Sequence, residues 1–310
     1  MSHALETPLR LGATEWGLIG LQSMLWGSSY FFVAMLQGQL PVMTISALRT
    51  IPSLAVLLVV VLSLGYRLPA EWSHWRLFLA FAMVNTFLPH LLVVWGQSRA
   101  TGGMAAILNA TAPVFGIFLA HVFTHDEKLS ANKLAGILMG LAGVIVLVGY
   151  DMALGSGLDL LARLALLAAP LLYMVANIFA RTKLSAHPPF VIAVMQMIGA
   201  MVLAVPLALI VDQPWNGPAP SLQALLAIAG MGIFGSGLAS LCHFTVLRRA
   251  GATNASLVTL IMPLTPILLG GFFLGERLSA REITGALIIA GALIVIDGRL
   301  LRRARGWLGA

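Results

Sequence analysis

Charged residues are scarce in this sequence of 310 residues, at 9% of the chain, whereas hydrophobic residues make up 59% and the mean hydropathy is +0.95. Soluble globular domains carry about 25% charged residues. This chain therefore lacks the polar groups that would cover a water-soluble surface, and we predict that it is solvated by lipid. At about 20 apolar residues per crossing, its length leaves room for about ten transmembrane helices.

Several functional classes are disfavoured by what is missing. Cys242 is the single cysteine, which excludes an internal disulfide. The sequence contains neither a Gly-x-x-x-x-Gly-Lys phosphate loop nor a His-Glu-x-x-His metal motif, so we expect no ATP-driven pump, no metal site, no cofactor and no catalytic residues. The net charge of +7 is not gathered on a soluble basic domain, so we expect no nucleic-acid partner.

Acidic residues are absent from the middle of every predicted span. The acids lie at span ends or in loops: Glu6, Glu15, Glu71, Asp126, Glu127, Asp151, Asp159, Asp212, Glu276, Glu282 and Asp297. A buried carboxylate is the usual proton carrier of proton-driven pumps, so we favour transport driven by the substrate gradient. His90, His121 and His243 remain as candidates for proton coupling, because histidine titrates near neutral pH, although a histidine within a span is more often a hydrogen-bonded packing residue.

What the sequence does contain is a series of apolar runs separated by short polar connections. We predict spans at residues 14–36, 42–64, 76–98, 102–123, 132–150, 158–181, 189–211, 222–247, 252–273 and 281–299. Residues 1–13 and 301–310 are short polar tails, and no connection is long enough for a soluble catalytic domain. Most lysines and arginines fall on one side of these spans, which predicts that both tails are cytoplasmic.

A repeat divides the chain into two halves, residues 14–150 and 151–300. Ala100 and Pro113 recur as Ala250 and Pro263, and the segment Glu-Lys-Leu-Ser-Ala at 127–131 recurs as Glu-Arg-Leu-Ser-Ala at 276–280. Five spans separate equivalent positions, and because five is odd the halves must enter the membrane in opposite orientations. Such inverted repeats are typical of secondary transporters, which bind substrate near the midplane and alternate access by rocking the halves.

The Glu-Lys/Arg-Leu-Ser-Ala turn in each half, together with Trp26-Gly27-Ser28-Ser29 in the first span, resembles the EamA family of the drug/metabolite transporter superfamily. The resemblance covers residues 15–300 approximately and implies a ten-helix bacterial inner-membrane carrier that exports small metabolites. Characterised members include exporters of amino acids, among them aromatic amino-acid exporters of the YddG type. The midspan aromatic residues of this chain suggest that subgroup. Oligomeric state is left open.

Arg49 is the most costly residue to place in a membrane. It lies eight residues after Pro41, roughly 12 Å along the helix, and an arginine at that depth costs about 2.5–3.5 kcal/mol. Two interpretations stay open: Arg49 binds backbone carbonyls at a helix break, or it attracts a substrate carboxylate. The repeat carries Gln196 at the same distance from Pro188, so the charge belongs to one half alone.

Most tryptophans lie near span ends, where indole rings anchor in the headgroup region. Trp26 and Tyr173 instead lie at midspan, each 15 residues before its proline, and the two rings could enclose an apolar or aromatic substrate side chain or simply pack between helices. Polar faces at helical spacing add further candidates, with helix packing as the competing interpretation. The candidate substrate-binding residues are Trp26, Tyr30, Arg49, Asn85, His90, Asn109, Tyr173, Asn177 and His243.

The sequence thus predicts an all-α membrane carrier for amino acids with apolar or aromatic side chains, with alternating access around a midplane cavity. The alternative is a broad-specificity drug or metabolite carrier that works as a proton antiporter. A channel or a membrane enzyme is a more remote possibility, because an inverted repeat predicts saturable exchange and Cys242 and His243 point about 100° apart on a helix.

Overall fold

The computed structural model describes residues 12–69, 71–123, 131–154, 157–243, 245–246, 249 and 257–297. Within these ranges helices are the only regular secondary structure. The helical segments of the first half are α1 (Ala13–Leu36), α2 (Val42–Leu48 and Thr50–Ser63), α3 (Trp72–Ala82, Met83–Phe87 and Leu88–Gln97), α4 (Gly102–Asn109 and Ala112–Phe123) and α5 (Ala131–Leu154). Those of the second half are α6 (Gly157–Lys183), α7 (Pro189–Leu207 and Ala208–Asp212), α8 (Leu222–His243), α9 (Val258–Ile261, Leu264–Leu269 and Gly270–Leu274) and α10 (Ala280–Asp297).

Seven of these helices are long and apolar enough to cross a membrane: α1, α2, α3, α4, α6, α7 and α8. In α5 and α9 the apolar stretches identified within the described residues are Asn132–Val146 and Leu264–Leu274. The chain is therefore a multi-pass helical membrane protein, while the count of ten spans and the cytoplasmic position of both tails stay predictions.

Two helices contain a π-helical turn in their middle. In α3 this turn is Met83–Phe87, and it comes just before Pro89. Proline has no amide hydrogen and cannot continue the regular hydrogen-bond ladder, so a locally wider turn is a physical consequence of Pro89. In α8 the π turn is Ile233–Leu238 and contains two glycines instead of a proline. Such turns are frequent at functional sites.

Helix α2 is irregular at Arg49, the residue between its two segments. Pro52 follows three residues later, so the carbonyl of Leu48 cannot receive the usual helical hydrogen bond. Helix α8 approaches this break closely, because a methyl group added at Gly232 would meet the side chain of Pro52 and the carbonyl oxygen of Arg49 at 2.7 Å. The break in α2 and the π turn of α8 therefore lie side by side.

The most extensive helix contact in the described part of the chain is between α5 and α10. Two glycines of α5, at 136 and 143, face α10, and a methyl group added to Gly136 would meet Ile296 and the carbonyl oxygen of Ala292 at 3.0 Å. Small residues allow such close backbone approach between membrane helices.

The remaining contacts link the two halves in a regular way. Helix α1 packs against α8 and α9, and helix α6 packs against α3 and α4, while α2 and α7 pack against each other. The largest apolar cluster contains Tyr30, Met104, Leu108, Leu166 and Met262, and Trp26 and Tyr173 pack against it. The centre of the molecule is thus built from helices of both halves.

Candidate functional site

The guanidinium group of Arg49 lies in the interior, where it joins three helices. The residue is only 8% exposed. Its Nη1 donates a hydrogen bond of 2.9 Å to Ser236 Oγ in the π turn of α8, and its Nη2 donates one of 3.4 Å to the carbonyl oxygen of Thr86 in the π turn of α3. Its Nε is buried and has no hydrogen-bond partner among the described residues. Arg49 therefore binds a backbone carbonyl, as the first interpretation predicts, while its Nε–H stays without an acceptor among the described residues.

A similar contact joins Asn85 of α3 to Gln196 of α7. Asn85, in the π turn of α3, donates from Nδ2 to Gln196 Oε1 at 2.6 Å. Gln196 lies eight residues after Pro188, as Arg49 lies eight after Pro41. In each contact the residue eight positions after the proline, Arg49 or Gln196, forms a hydrogen bond with a side chain in the π turn of a helix from the other half.

Trp26 and His243 meet where α1 packs against α8. Their ring centroids are 5.0 Å apart with an interplanar angle of 35°, and Gln22 Nε2 lies 2.9 Å from His243 Nδ1. No ring contact between Trp26 and Tyr173 is found in the described part of the chain, so the pairing of these two aromatic residues around a substrate remains a hypothesis.

Tyr30 and Tyr173 both belong to the apolar surroundings of the central cluster, Tyr30 as a buried member and Tyr173 as a partly buried neighbour. Arg49 lies within electrostatic range of Tyr173, and Tyr30 lies within range of Tyr173 in turn. The structure therefore brings these two aromatic residues toward the same region as the one midspan cation.

His90 and Asn109 are buried polar residues with unused hydrogen-bonding capacity. His90 is 7% exposed, its Nε2 has no partner among the described residues, and it lies within electrostatic range of Arg49. Asn109 ends the first segment of α4, and its Oδ1 is buried without a partner in the same described set. Buried polar groups are normally paired, so such atoms are candidates for ligand contact.

Asn177 lies on α6, one helical turn after Tyr173. It is exposed, and its Nδ2 is 3.8 Å from the sulfur of Met174 on the same helix. The polar face of α6 that suggested this residue is therefore not buried at Asn177.

Sequence reasoning did not select Ser236, Gln196 or Gln22 as site residues, although all three contact candidate residues. The signal for Gln196 was its position eight residues after Pro188. Ser236 shares a polar face at helical spacing with Ser240 and His243, for which helix packing is the competing interpretation, whereas Gln22 carried no comparable signal.

The motif Trp26-Gly27-Ser28-Ser29 has a clear packing role. A methyl group at Gly27 would meet the carbonyl oxygen of Met262 at 2.7 Å, and one at Gly235 would meet the side chain of Ser29. The motif therefore lets α1 lie close to α8 and α9 of the other half.

A pocket of about 510 Å³ opens at one end of α2 and α7. Its wall includes Pro41, Thr44 and Leu48 of α2 and Asp212 at the end of α7. The carboxylate of Asp212 accepts hydrogen bonds from the amide and the hydroxyl of Thr44, at 2.7 and 2.8 Å. Leu48, on this wall, immediately precedes Arg49.

The described residues contain no group of three histidine, cysteine, aspartate or glutamate side chains placed to hold a metal ion. His121 was also considered for proton coupling, but its side chain lies outside the described residues.

Comparison with known proteins gives consistent matches along the chain. The profile of the EamA-like transporter family matches twice, at residues 16–149 and 160–297. The uncharacterized transporter YoaV of Bacillus subtilis (strain 168) is 24% identical over 298 residues, which cover 93% of this chain and 97% of YoaV. The uncharacterized inner membrane transporter YedA of Escherichia coli (strain K12) is 23% identical over 277 residues, or 88% of this chain and 87% of YedA.

A solved crystal structure has a similar fold, with a TM-score of 0.68. The similarity extends over 94% of this chain and 99% of that one, at 21% sequence identity. At this identity the match supports the fold alone.

Proposed function

Because the chain belongs to the EamA-like transporter family, we propose that it is an inner-membrane carrier that exports amino acids with apolar or aromatic side chains by alternating access. The observation that carries this proposal is the pair of polar contacts between the halves, Arg49 with Ser236 and Asn85 with Gln196. A site built from both halves is what a carrier needs if rocking of the halves is to expose its substrate to each side in turn.

Two observations support an inverted repeat with halves at 14–150 and 151–300. The family profile matches once in each half. The contacts of α1 with α8 and α9 have their counterparts in the contacts of α6 with α3 and α4. Exchange of the two halves therefore relates the contacts of α1 with α8 and α9 to those of α6 with α3 and α4.

The proposed cargo follows from the residues near the centre. Trp26, Tyr30 and Tyr173 supply aromatic surface beside one apolar cluster, which suits an apolar or aromatic side chain. Arg49 supplies a donor for a carboxylate. The inner-membrane location is proposed from the predicted orientation and from the name of YedA, which is an inner membrane transporter.

A second candidate function is a broad-specificity drug or metabolite proton antiporter. The contact of His243 with Gln22 and Trp26 favours it, because an interior histidine that touches a candidate substrate residue is placed to couple a proton to binding. The two functions differ in whether exchange needs a pH gradient.

The test is counterflow in proteoliposomes that contain purified protein and unlabelled amino acids, followed with labelled phenylalanine at pH 6 and pH 8. We expect saturable, pH-independent exchange that falls when Trp26 or Tyr173 is replaced by alanine. The matched control is Trp16→Ala, since Trp16 is 49% exposed near the start of α1.

The other outcomes separate the alternatives. Exchange that needs a pH gradient and stops in His243→Ala would establish the antiporter. Flux that does not saturate would point to a channel. Absence of exchange with every amino acid would remove the proposed cargo.

A further inference from the structure

Arg49 carries a positive charge that no carboxylate in the described part of the chain neutralises. His74 pairs with Glu71 and Arg99 pairs with Asp159, both outside the centre of the molecule. The Arg49 contacts, Ser236 Oγ and the Thr86 carbonyl oxygen, are neutral. A buried charge is normally paired with an opposite charge, so the site is electrically incomplete.

The hydrogen-bonding group of Arg49 that lacks a partner is a donor, so it needs an acceptor just as the positive charge needs a negative one. Nε is a donor, it is buried, and it has no acceptor among the described residues. The guanidinium presents donors in a planar fork that matches a carboxylate. An incoming carboxylate would therefore satisfy both the free donor and the unbalanced charge.

An ammonium group finds no negative charge of this kind at the centre among the described residues, where the unpartnered acceptor Asn109 Oδ1 is neutral. The acids Glu15, Asp159, Asp212, Glu276 and Glu282 lie at helix ends or in connections. The position that matches Arg49 in the other half is Gln196, whose amide oxygen already accepts from Asn85. Each half thus offers a polar residue at this level, but only one is charged, and that charge is positive.

Resting on the proposed function, we infer that the central site selects its cargo by a carboxylate held at Arg49 and does not require an amino group. The substrate class is then carboxylic acids with apolar or aromatic side chains, within which amino acids are one subset. A bound monoanion makes the site neutral, whereas a cation would place two positive charges together in a medium that screens them poorly.

A binding experiment on purified protein in detergent tests this selection without depending on transport. Three compounds share a phenylethyl group and differ in charge: 3-phenylpropionate, phenylalanine and phenethylamine. We expect calorimetric titration to show binding of the first two and none of the third. Arg49→Gln should weaken carboxylate binding about 10- to 100-fold, the size expected for a hydrogen bond to a charged group.

Two further variants separate ligand binding from a structural role. Arg49→Lys keeps the charge and loses the planar fork, so it should retain the preference for carboxylate over amine at reduced affinity. Arg67→Gln removes an exposed arginine outside the site and should leave every affinity unchanged. If Arg49→Gln does not fold, the order of the three affinities, measured on the wild type and on Arg49→Lys, still tests the inference.

Phenethylamine binding as tightly as 3-phenylpropionate would overturn the inference, as would unchanged carboxylate affinity in folded Arg49→Gln. If none of the three binds, the phenyl cargo of the proposed function fails. Acetate, butyrate and benzoate are then compared with the corresponding amines, and preference for the amines or no binding of any carboxylate refutes the inference. Carboxylate binding together with failed phenylalanine counterflow would leave the inference standing and remove the proposed amino-acid cargo.

Discussion

The side-chain amide of Asn85 in α3 donates a hydrogen bond of 2.6 Å to Oε1 of Gln196 in α7. Gln196 is only 8% exposed, and the bond joins a π turn of the first half to a helix of the second half. The equivalent position in α2 is Arg49, which makes the corresponding bond to the π turn of α8. The two contacts differ in charge and in direction, because Arg49 donates to the π turn whereas Gln196 accepts from it.

The first prediction concerns the strength of this amide pair. Replacing Asn85 or Gln196 alone by leucine leaves the other amide, at least partly buried, without its partner, so each single variant should unfold more easily than the wild type. The double variant should recover part of the loss, because neither amide is then present. A double-mutant cycle of unfolding free energies in mixed micelles should give a coupling of about 0.6–1.7 kcal/mol. Additive single effects would mean that the bond does not contribute.

The second prediction tests the packing of α5 against α10. Gly136→Ala would force its methyl group against Ile296 and the carbonyl oxygen of Ala292, and should destabilise the protein by about 1–3 kcal/mol. Gly20→Ala is the matched control, because nothing lies within 4 Å of a methyl group there. Its effect should be neutral or stabilising by up to about 1 kcal/mol. Equal melting temperatures for the two variants would argue against the close contact.

The third prediction concerns Asp212, whose carboxylate accepts two hydrogen bonds from Thr44 in the first turn of α2. A negative charge there also interacts favourably with the positive end of the helix dipole. Asp212→Ala should cost about 0.5–2 kcal/mol of unfolding free energy, and Asp212→Asn less, since an acceptor oxygen remains. Asn216→Ala, in the adjacent exposed connection, should change stability by less than about 0.5 kcal/mol. If Asp212→Ala lost no more unfolding free energy than Asn216→Ala, the capping role of Asp212 would be contradicted.

The fourth prediction concerns topology. In a Cys242→Ser background, a cysteine at Gly217 should react with a membrane-impermeant maleimide in intact cells, whereas a cysteine at Arg67 should not. These positions lie in the connections after α7 and α2, which the charge distribution places on opposite sides.

Reporter fusions at the two tails complete the topology test. Ten spans place both tails in the cytoplasm, whereas seven spans would place them on opposite sides. Labelling of the Arg67 position, or an external tail, would falsify the predicted orientation.

The bounds of the helices depend on residues close together in the chain and could be predicted from the sequence. The helices begin and end close to the predicted spans, as α7 at Pro189–Asp212 does beside the predicted 189–211. Apolar length and polar connections decide these bounds locally, and a lipid-solvated chain has to satisfy its backbone hydrogen bonds within each helix. The family and the coarse function followed from the turn motifs and the repeat.

The π turns at Met83–Phe87 and Ile233–Leu238 were not predicted, although Pro89 indicated a disturbance in α3. A π turn differs from a regular helix by a single shift of hydrogen-bond partners, and several local sequences are compatible with either. The turn of α3 packs against α7, and the turn of α8 packs against α2. Local sequence therefore indicated where α3 would be irregular, but not in which form.

By itself the sequence determined the membrane-helical class, the approximate spans, the transporter family and the single midspan cation, because each of these depends on composition or on residues near one another in the chain. Only the tertiary structure decided that Arg49 meets Ser236 and Thr86, that Asn85 meets Gln196, and that Trp26 meets His243. Those partners are separated by 37 to 217 positions. Which of many chemically similar serines, glutamines and histidines becomes the partner depends on how helices of the two halves pack, and hydrophobic periodicity does not encode that choice.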